Sequence, residues 1–549
     1  MKRSFLVFAL LILGSFLPAA ARAQSSLGNI LLPIGGGNAQ VFGGFASLAA
    51  ANAKDNAVNI LVLPVALASN PNSQTDGERA DSLTASEARR AQIEEACRHS
   101  AAADVTCVAS LAPIFTRSDA QNPASLQFFT PNLSAIFILD GDPATAMQVI
   151  GGTPVEQAIS DAYGRGVIIS GTGAGGGLLS SSLLKGYRPD YSAANALSFG
   201  AADVWNASSQ HGFSFGITQA ILAPHFFERN QVGLLLNAIS QPGVPHVGIG
   251  VEDATGVRIT NHERLEYVFG TYGVAILDAE TYHAAQGVKY IGLGNLLSLR
   301  NVLVHLLAPG NFSYNLNVRQ QSLAAPASPL QRSYIGLDLP TAAGPLILAG
   351  DLSQSLSSAT GQAANPVLAR FVKLSGGAAA RILVVAVGYL DEQAARQAAL
   401  RYTGALGNIR SSTLFLSPDA TAPQPLPVGY TGLLVIGEDQ SRINPALLGP
   451  LRDAWRTGVP LLADNAAAAA LGTFFSAHAP TPADDEGAQA ATQRSFLDGR
   501  TKLAPGLSLI NINLEPRLLD DNRWGRLFSL AYEHPDFLAI GLAAGSALE

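Results

Sequence analysis

The chain contains itself twice, and that repeat limits its fold more than any other feature. Residues 151–169, "GGTPVEQAISDAYGRGVII", and residues 443–462, "INPALLGPLRDAWRTGVPLL", each read as a helix, a glycine stop and a buried strand. Upstream, "LSAIFILDGD" parallels "YTGLLVIGED", "NILVLPVA" parallels "RILVVAVG", and "GNILLPIGG" parallels "GPLILAGD". Downstream, "APHFFERNQVGLLLNAI" parallels "EPRLLDDNRWGRLFSLA", aligning Pro224, Asn230 and Gly233 with Pro516, Asn522 and Gly525. The closing "HVGIGVEDATG" is echoed by "FLAIGLAAGSA". Six blocks in one order predict a duplicated domain, with copies over 24–320 and 344–549 and a linker over 321–343.

Within each copy, short apolar strands alternate with helical patterns such as "SEARRAQIEEACRHS". That alternation predicts an α/β fold, each copy one doubly wound, mostly parallel, flavodoxin-like sheet with helices on both faces. "RNVLVHLLAPGNFSYNLNV" has strand-like alternation suited to a sheet edge. A length of 549 residues suits two large domains, and 48% apolar against 14% charged residues suits packed, buried sheets.

The first residues read as an export signal: Lys2 and Arg3, the apolar "SFLVFALLILGSFL", then small residues at Ala21 and Ala23 before a cut after Ala23. The mature protein is therefore expected to be secreted or periplasmic. No later segment has 18 consecutive apolar residues, so no membrane span is expected. A formal charge of −7 without a Lys/Arg cluster argues against nucleic acid or an anionic membrane as partner. Cys97 and Cys107 leave two readings open, a small disulfide loop or two buried thiols.

Chemistry is expected at "VIISGTGAGGGLLSSS", residues 167–182. A buried strand, a glycine-dense turn and an apolar stretch suited to a helix make the layout of a nucleophile elbow, which projects one side chain toward substrate. The position at its tip is Gly173. The nearest hydroxyl, Thr172, sits one step back on the turn, and Ser180 to Ser182 lie two helical turns further on and read as helix-surface or packing residues. "IGGGNAQVFGG" lacks the lysine of a phosphate-binding loop and reads as a strand-end loop lining the same cleft. "SNPNSQTDGERAD" reads as a flexible loop over that cleft. His211, His246, His262, His283 and His305 have no metal-site spacing, and neither a metal nor another cofactor is expected.

These blocks resemble the cyanophycinase family of serine peptidases, related to class I glutamine amidotransferase-like folds. The family pattern is G-T-S-A-G-A at the elbow, G-G-D-Q after an earlier strand, D-Q-H-F-x-x-R, and G-I-D-E. The resemblance covers nearly all of the first copy and, more faintly, the second. It places His225 as general base, Arg229 four residues on, Asp253 as the acid, and Gly173 where the serine belongs. Gly141, Asp142, Ala174 and Arg229 fall in the oxyanion and substrate-binding positions, while Asp140 replaces a glycine and Pro143 a glutamine. In the second copy, Arg517 replaces the histidine, Ala544 the acid, and Asn465 lies near the elbow tip, so no triad can be drawn. The resemblance implies dimer formation, which a fused degenerate copy could supply as an intrachain pseudo-dimer; a second domain packed elsewhere is the other reading.

Two functions follow. One is an exported protein of peptidase ancestry, catalytically impaired and binding a peptide or isopeptide. The other is a hydrolase of the same family cutting peptide or isopeptide bonds with a different nucleophile. Loss of the serine would itself relieve backbone strain of about 1–3 kcal/mol at the elbow.

Overall fold

The computed structural model describes residues 28–37, 39–279, 289–291, 295–299, 302–322, 335–356, 365–496 and 500–549. The segment read as an export signal and His283 lie outside the described residues. Among the described residues, no helix is long and apolar enough to cross a membrane.

The fold is mixed α/β with several sheets. In the first unit, the strands Ile30–Ile34, Ala57–Leu63, Thr106–Leu111, Ala135–Ile138 and Ile168–Thr172 pair in parallel. Continuous apolar runs such as "ILLPI" and "AIFI" form them because helices cover both faces, and every residue of those two strands is buried. Four antiparallel strands, beginning with Thr255–Thr260 against Ile30–Ile34, extend this sheet to nine.

Some expectations need correction. Among the described residues the first unit holds three sheets, not one: besides the nine-stranded sheet and a two-stranded ribbon of Lys289–Ile291 with Leu296–Ser298, a six-stranded sheet has a parallel core of Leu183–Tyr187, Ile221–Pro224 and Val247–Val251. The "RNVLVHLL…" stretch serves two of them, Leu303–Leu307 edging the six-stranded sheet and Gly310–Asn315 joining the nine-stranded one. Strand Gln320–Ser322 carries the first unit two residues past 320. The helix Asp76–Ser100 begins inside the segment read as a loop, because Thr75 and Glu78 cap each other's backbone N–H groups in a capping box. Cys97 and Cys107 are joined as a disulfide.

In the second unit, the main sheet runs Ala547–Leu548, Leu346–Ala349, Leu461–Asn465, Gly432–Gly437, Arg381–Val387, Arg410–Phe415. The same order appears in the first unit as Thr255–Thr260, Ile30–Ile34, Ile168–Thr172, Ala135–Ile138, Ala57–Leu63, Thr106–Leu111. A parallel pair, Ile512–Pro516 with Leu538–Leu542, matches Ile221–Pro224 with Val247–Val251.

The units touch through matched residues. Asn230 donates to the Leu519 carbonyl, and Asn522 donates to the Phe227 carbonyl. Phe227 stacks on Phe496 with ring centroids 3.7 Å apart, and Gln493 Nε2 donates to Glu252 Oε1 at 3.3 Å. Trp524 and Phe528 pack against the cluster containing Phe226, Phe227 and Leu235.

Candidate functional site

Four strand ends converge on the site, all at the carboxyl edge where open parallel sheets bind ligands. Strand Ile168–Thr172 delivers Gly173 at φ 51°, ψ −120°, followed by the short helix Ala174–Gly177. Strand Ala135–Ile138 delivers Asp140, Ile221–Pro224 delivers His225 at φ 53°, and Val247–Val251 delivers Asp253. The loop at Gly35–Gly37 closes one side. A Cβ on Gly36 would meet Asp253 Oδ1 at 1.6 Å and His225 Cε1 at 2.9 Å, so only glycine lets the backbone pass there.

The structure brings His225, Asp253 and Gly173 into one neighbourhood, but the group touching Gly173 is Asp140. A Cβ on Gly173 would lie 1.9 Å from Asp140 Oδ1. The carboxylate therefore occupies the space a nucleophile's side chain would need. Its Oδ1 accepts from Ala174 N at 2.7 Å and from Gly141 N at 2.8 Å, while Oδ2 faces His225 Nε2 at 3.1 Å. The two N–H groups expected from the resemblance to cradle an oxyanion both donate to this carboxylate.

On the other side of the ring, Glu228 Oε2 lies 2.7 Å from His225 Nδ1, and Asp253 Oδ1 lies 3.7 Å away. The expectation that Asp253 orients the imidazole is corrected: Glu228 makes that hydrogen bond. His225 starts a turn whose Arg229 N–H donates to the His225 carbonyl, and this turn swings Glu228 back onto the ring. Buried Glu252 holds the turn by accepting from the Phe227 and Glu228 N–H groups. Burial raises the Glu252 pKa to about 7.

Burial alone would lower the His225 pKa, but its hydrogen bonds to Asp140 and Glu228 outweigh it and raise it to about 9. At neutral pH both ring nitrogens carry protons. Burial pushes Asp140 upward, yet its hydrogen bonds from His225 and Ala174 N leave its pKa lowered overall. Asp253 moves the other way, raised by burial and by the Glu228 charge.

The remaining expected residues have quieter places. Asp142 caps the helix Pro143–Ile150, accepting from Thr145 N at 2.6 Å. Arg229 is exposed, and its charge works against protonation of His225. Thr172 Oγ1 is buried without a hydrogen-bond partner. Ser180 and Ser182 do not sit on a helix, since the helix after the elbow ends at Gly177. Ser180 Oγ instead bonds the Gly177 and Ser182 carbonyls. His225 Nδ1 and the Glu228 and Asp253 carboxylates lie within 4.8 Å of one another, a cluster that histidine spacing along the chain does not display.

Asp140 and Glu228 carry most of this geometry, and both were legible in part. Asp140 stands out where the family pattern has glycine, and Glu228 follows His225 by three positions, one turn away.

In the second unit, Asn465 occupies the elbow at φ 53°, ψ −125°, and Arg517 sits at φ 55°, matching Gly173 and His225. Arg517 pairs with Asp351 and Asp521, so it is tied down as a structural cation. Asp464, one residue before Asn465, is fully buried, accepts from Tyr402 Oη and the Leu352 N–H, and is raised to about 7 by burial.

No protein-family model and no curated protein matches this chain. Among solved structures, it is similar to one titled a crystal structure of a peptidase from an acI-B1 Actinobacterium. The identity is 18%, covering 51% of this chain and 97% of that chain, with a TM-score of 0.34. The chemistry of this chain is read from its own geometry.

Proposed function

We propose that this chain is an exported protein of cyanophycinase-like, serine-peptidase ancestry in which serine-type acyl transfer is absent. The Asp140 carboxylate carries the reading: it fills the nucleophile's volume and takes both oxyanion donors. A scissile carbonyl has neither an attacking hydroxyl nor a free cradle, and loss of the nucleophile alone lowers turnover by about 10⁶-fold. A peptide or isopeptide ligand would be held here through a basic group facing Glu228 and Asp253.

The same proposal makes the second unit a degenerate copy forming an intrachain pseudo-dimer. The common strand order, the matched dihedrals at Gly173 and Asn465, and the reciprocal Asn230 and Asn522 bonds support it. Export is supported by the basic-then-apolar start and by the disulfide, which suits an oxidising compartment.

Incubation of the mature protein with β-aspartyl-arginine polymer and aspartyl dipeptides tests the reading, beside His225→Ala. No cleavage and no fluorophosphonate adduct are expected. Cleavage that disappears in the variant would overturn it.

A further inference from the structure

A carboxylate is a poor reagent toward amides. Attack would expel an amine and leave a mixed anhydride more reactive than the amide it came from. Toward a saturated carbon bearing a good leaving group, the same carboxylate is competent, because the product is an ordinary ester. Asp140 has the two oxygens such a reaction distinguishes. Oδ1 is pinned by Gly141 N and Ala174 N, and Oδ2 lies against His225 Nε2. The side chain is 39% exposed, so a small molecule can reach it, whereas His225 behind it is 9% exposed.

We infer that Asp140 is a nucleophile toward saturated carbon, displacing a leaving group that departs as a stable anion from substrates such as alkyl halides, with His225 then hydrolysing the aspartyl ester. This inference rests on the reading that serine-type acyl transfer is absent. In the first step an Asp140 Oδ2–carbon bond forms, the carbon–halogen bond breaks, and halide leaves with the bonding pair. Esterification removes the Asp140 charge that holds the second proton on His225, and the imidazole releases that proton to water. In the second step neutral His225 Nε2 takes a proton from a water that attacks Asp140 Cγ. The negative charge then develops on Oδ1, already placed on the Gly141 and Ala174 N–H groups. Collapse breaks the Cγ–O bond to the alkyl group. The departing alkoxide takes the proton from His225, and the new carboxyl group returns its proton to the imidazole. The balance is alkyl halide plus water giving alcohol, halide and one proton. Glu228, bonded to Nδ1 at 2.7 Å, orients the ring and stabilises the imidazolium in the second step.

The test uses the mature full-length protein with n-butyl bromide as probe, in heavy-oxygen water with substrate limiting. Bromide release above the buffer blank is expected, and the peptide containing Asp140 should gain one heavy oxygen. Asp140→Asn, nearly isosteric, should lower bromide release by about 10³-fold or more while leaving the circular dichroism spectrum unchanged. His225→Gln should accumulate a butyl ester on Asp140, visible by mass spectrometry; this adduct decides the matter even if Asp140→Asn fails to fold. Release no faster than the blank with no ester in His225→Gln, or alkylation on another residue, overturns the inference. Peptide cleavage by the wild type overturns the parent reading, whereas a protein inert toward both peptides and alkyl halides overturns only this one.

Discussion

The carboxylate of Asp140 and the hydrogen of Gly173 compete for one volume, so the chemistry of each residue depends on the other. With 1.9 Å between a Gly173 Cβ and Asp140 Oδ1, Gly173→Ser should not restore a peptidase. It adds a side chain at φ 51° and drives it into a carboxylate, destabilising the fold by about 1–3 kcal/mol from backbone strain alone. The double variant Asp140→Gly/Gly173→Ser removes the obstruction and frees both N–H donors. Fluorophosphonate labelling is expected in the double variant and in neither the wild type nor Gly173→Ser. The His225 imidazolium adds a pH signature. Its folded pKa of about 9 stands above the ordinary value of 6.5, so its stabilisation is complete below pH 6.5 and is lost as pH rises through 9. The full loss amounts to about 3 kcal/mol, reduced by screening because Asp140 is 39% exposed. Asp140, with a lowered pKa, contributes above pH 3.8, and that contribution disappears as pH falls through its folded value. Urea unfolding of wild type and His225→Gln across pH 6 to 10 checks this: the wild type's advantage should shrink toward pH 10.

At the scale of elements, the two units make opposite choices at one paired location. In the first, the end of the Ala135–Ile138 strand carries Asp140 and the elbow carries Gly173. In the second, the matching strand ends in Gly437 and the elbow carries Asn465. Each arrangement leaves room for one polar side chain where two strand ends crowd together. The alignment of "LSAIFILDGD" with "YTGLLVIGED" already held half of this exchange, but only the side-by-side pairing of the two strands in the sheet makes it a steric rule. The disulfide works at the same scale, tying the end of the helix Asp76–Ser100 to the strand Thr106–Leu111. Closing so short a loop stabilises by about 3 kcal/mol, so Cys97→Ala/Cys107→Ala should lose that amount in urea unfolding under oxidising conditions. A loss under 0.5 kcal/mol would show that the helix and strand are held without it. The Thr75 and Glu78 capping box was readable in "TDGE", but the polar, turn-rich residues around it masked a helix start as a loop.

For the whole molecule, the reciprocal Asn230 and Asn522 bonds are what a two-fold axis between two copies would produce. Each amide donates to a carbonyl of the other unit, and losing one such hydrogen bond costs about 0.5–1.5 kcal/mol. Asn230→Ala and Asn522→Ala should therefore destabilise by similar amounts. A protease site placed between Ser322 and Ile335 gives a sharper test. After cleavage the halves should elute together from a sizing column and separate only in denaturant; separation in buffer would exclude an intrachain pseudo-dimer.

Local patterns in the chain dictate its strands, its helix stops and its repeat, because hydrophobic period and turn chemistry act over a few neighbouring residues. They also mark Gly173, His225 and Asp253 as positions of interest. The placement of Glu228 and the division of the first unit's strands among separate sheets depend on how distant segments pack, and no local pattern reports that. The meaning of Asp140 is of the same kind. Beside glycine in a line of letters it is a substitution in a loop; folded against Gly173, Ala174 and His225 it becomes the charge at the centre of the site. Electrostatics and excluded volume act through space, and only the folded chain brings residues 140, 173 and 225 within a few ångströms of one another.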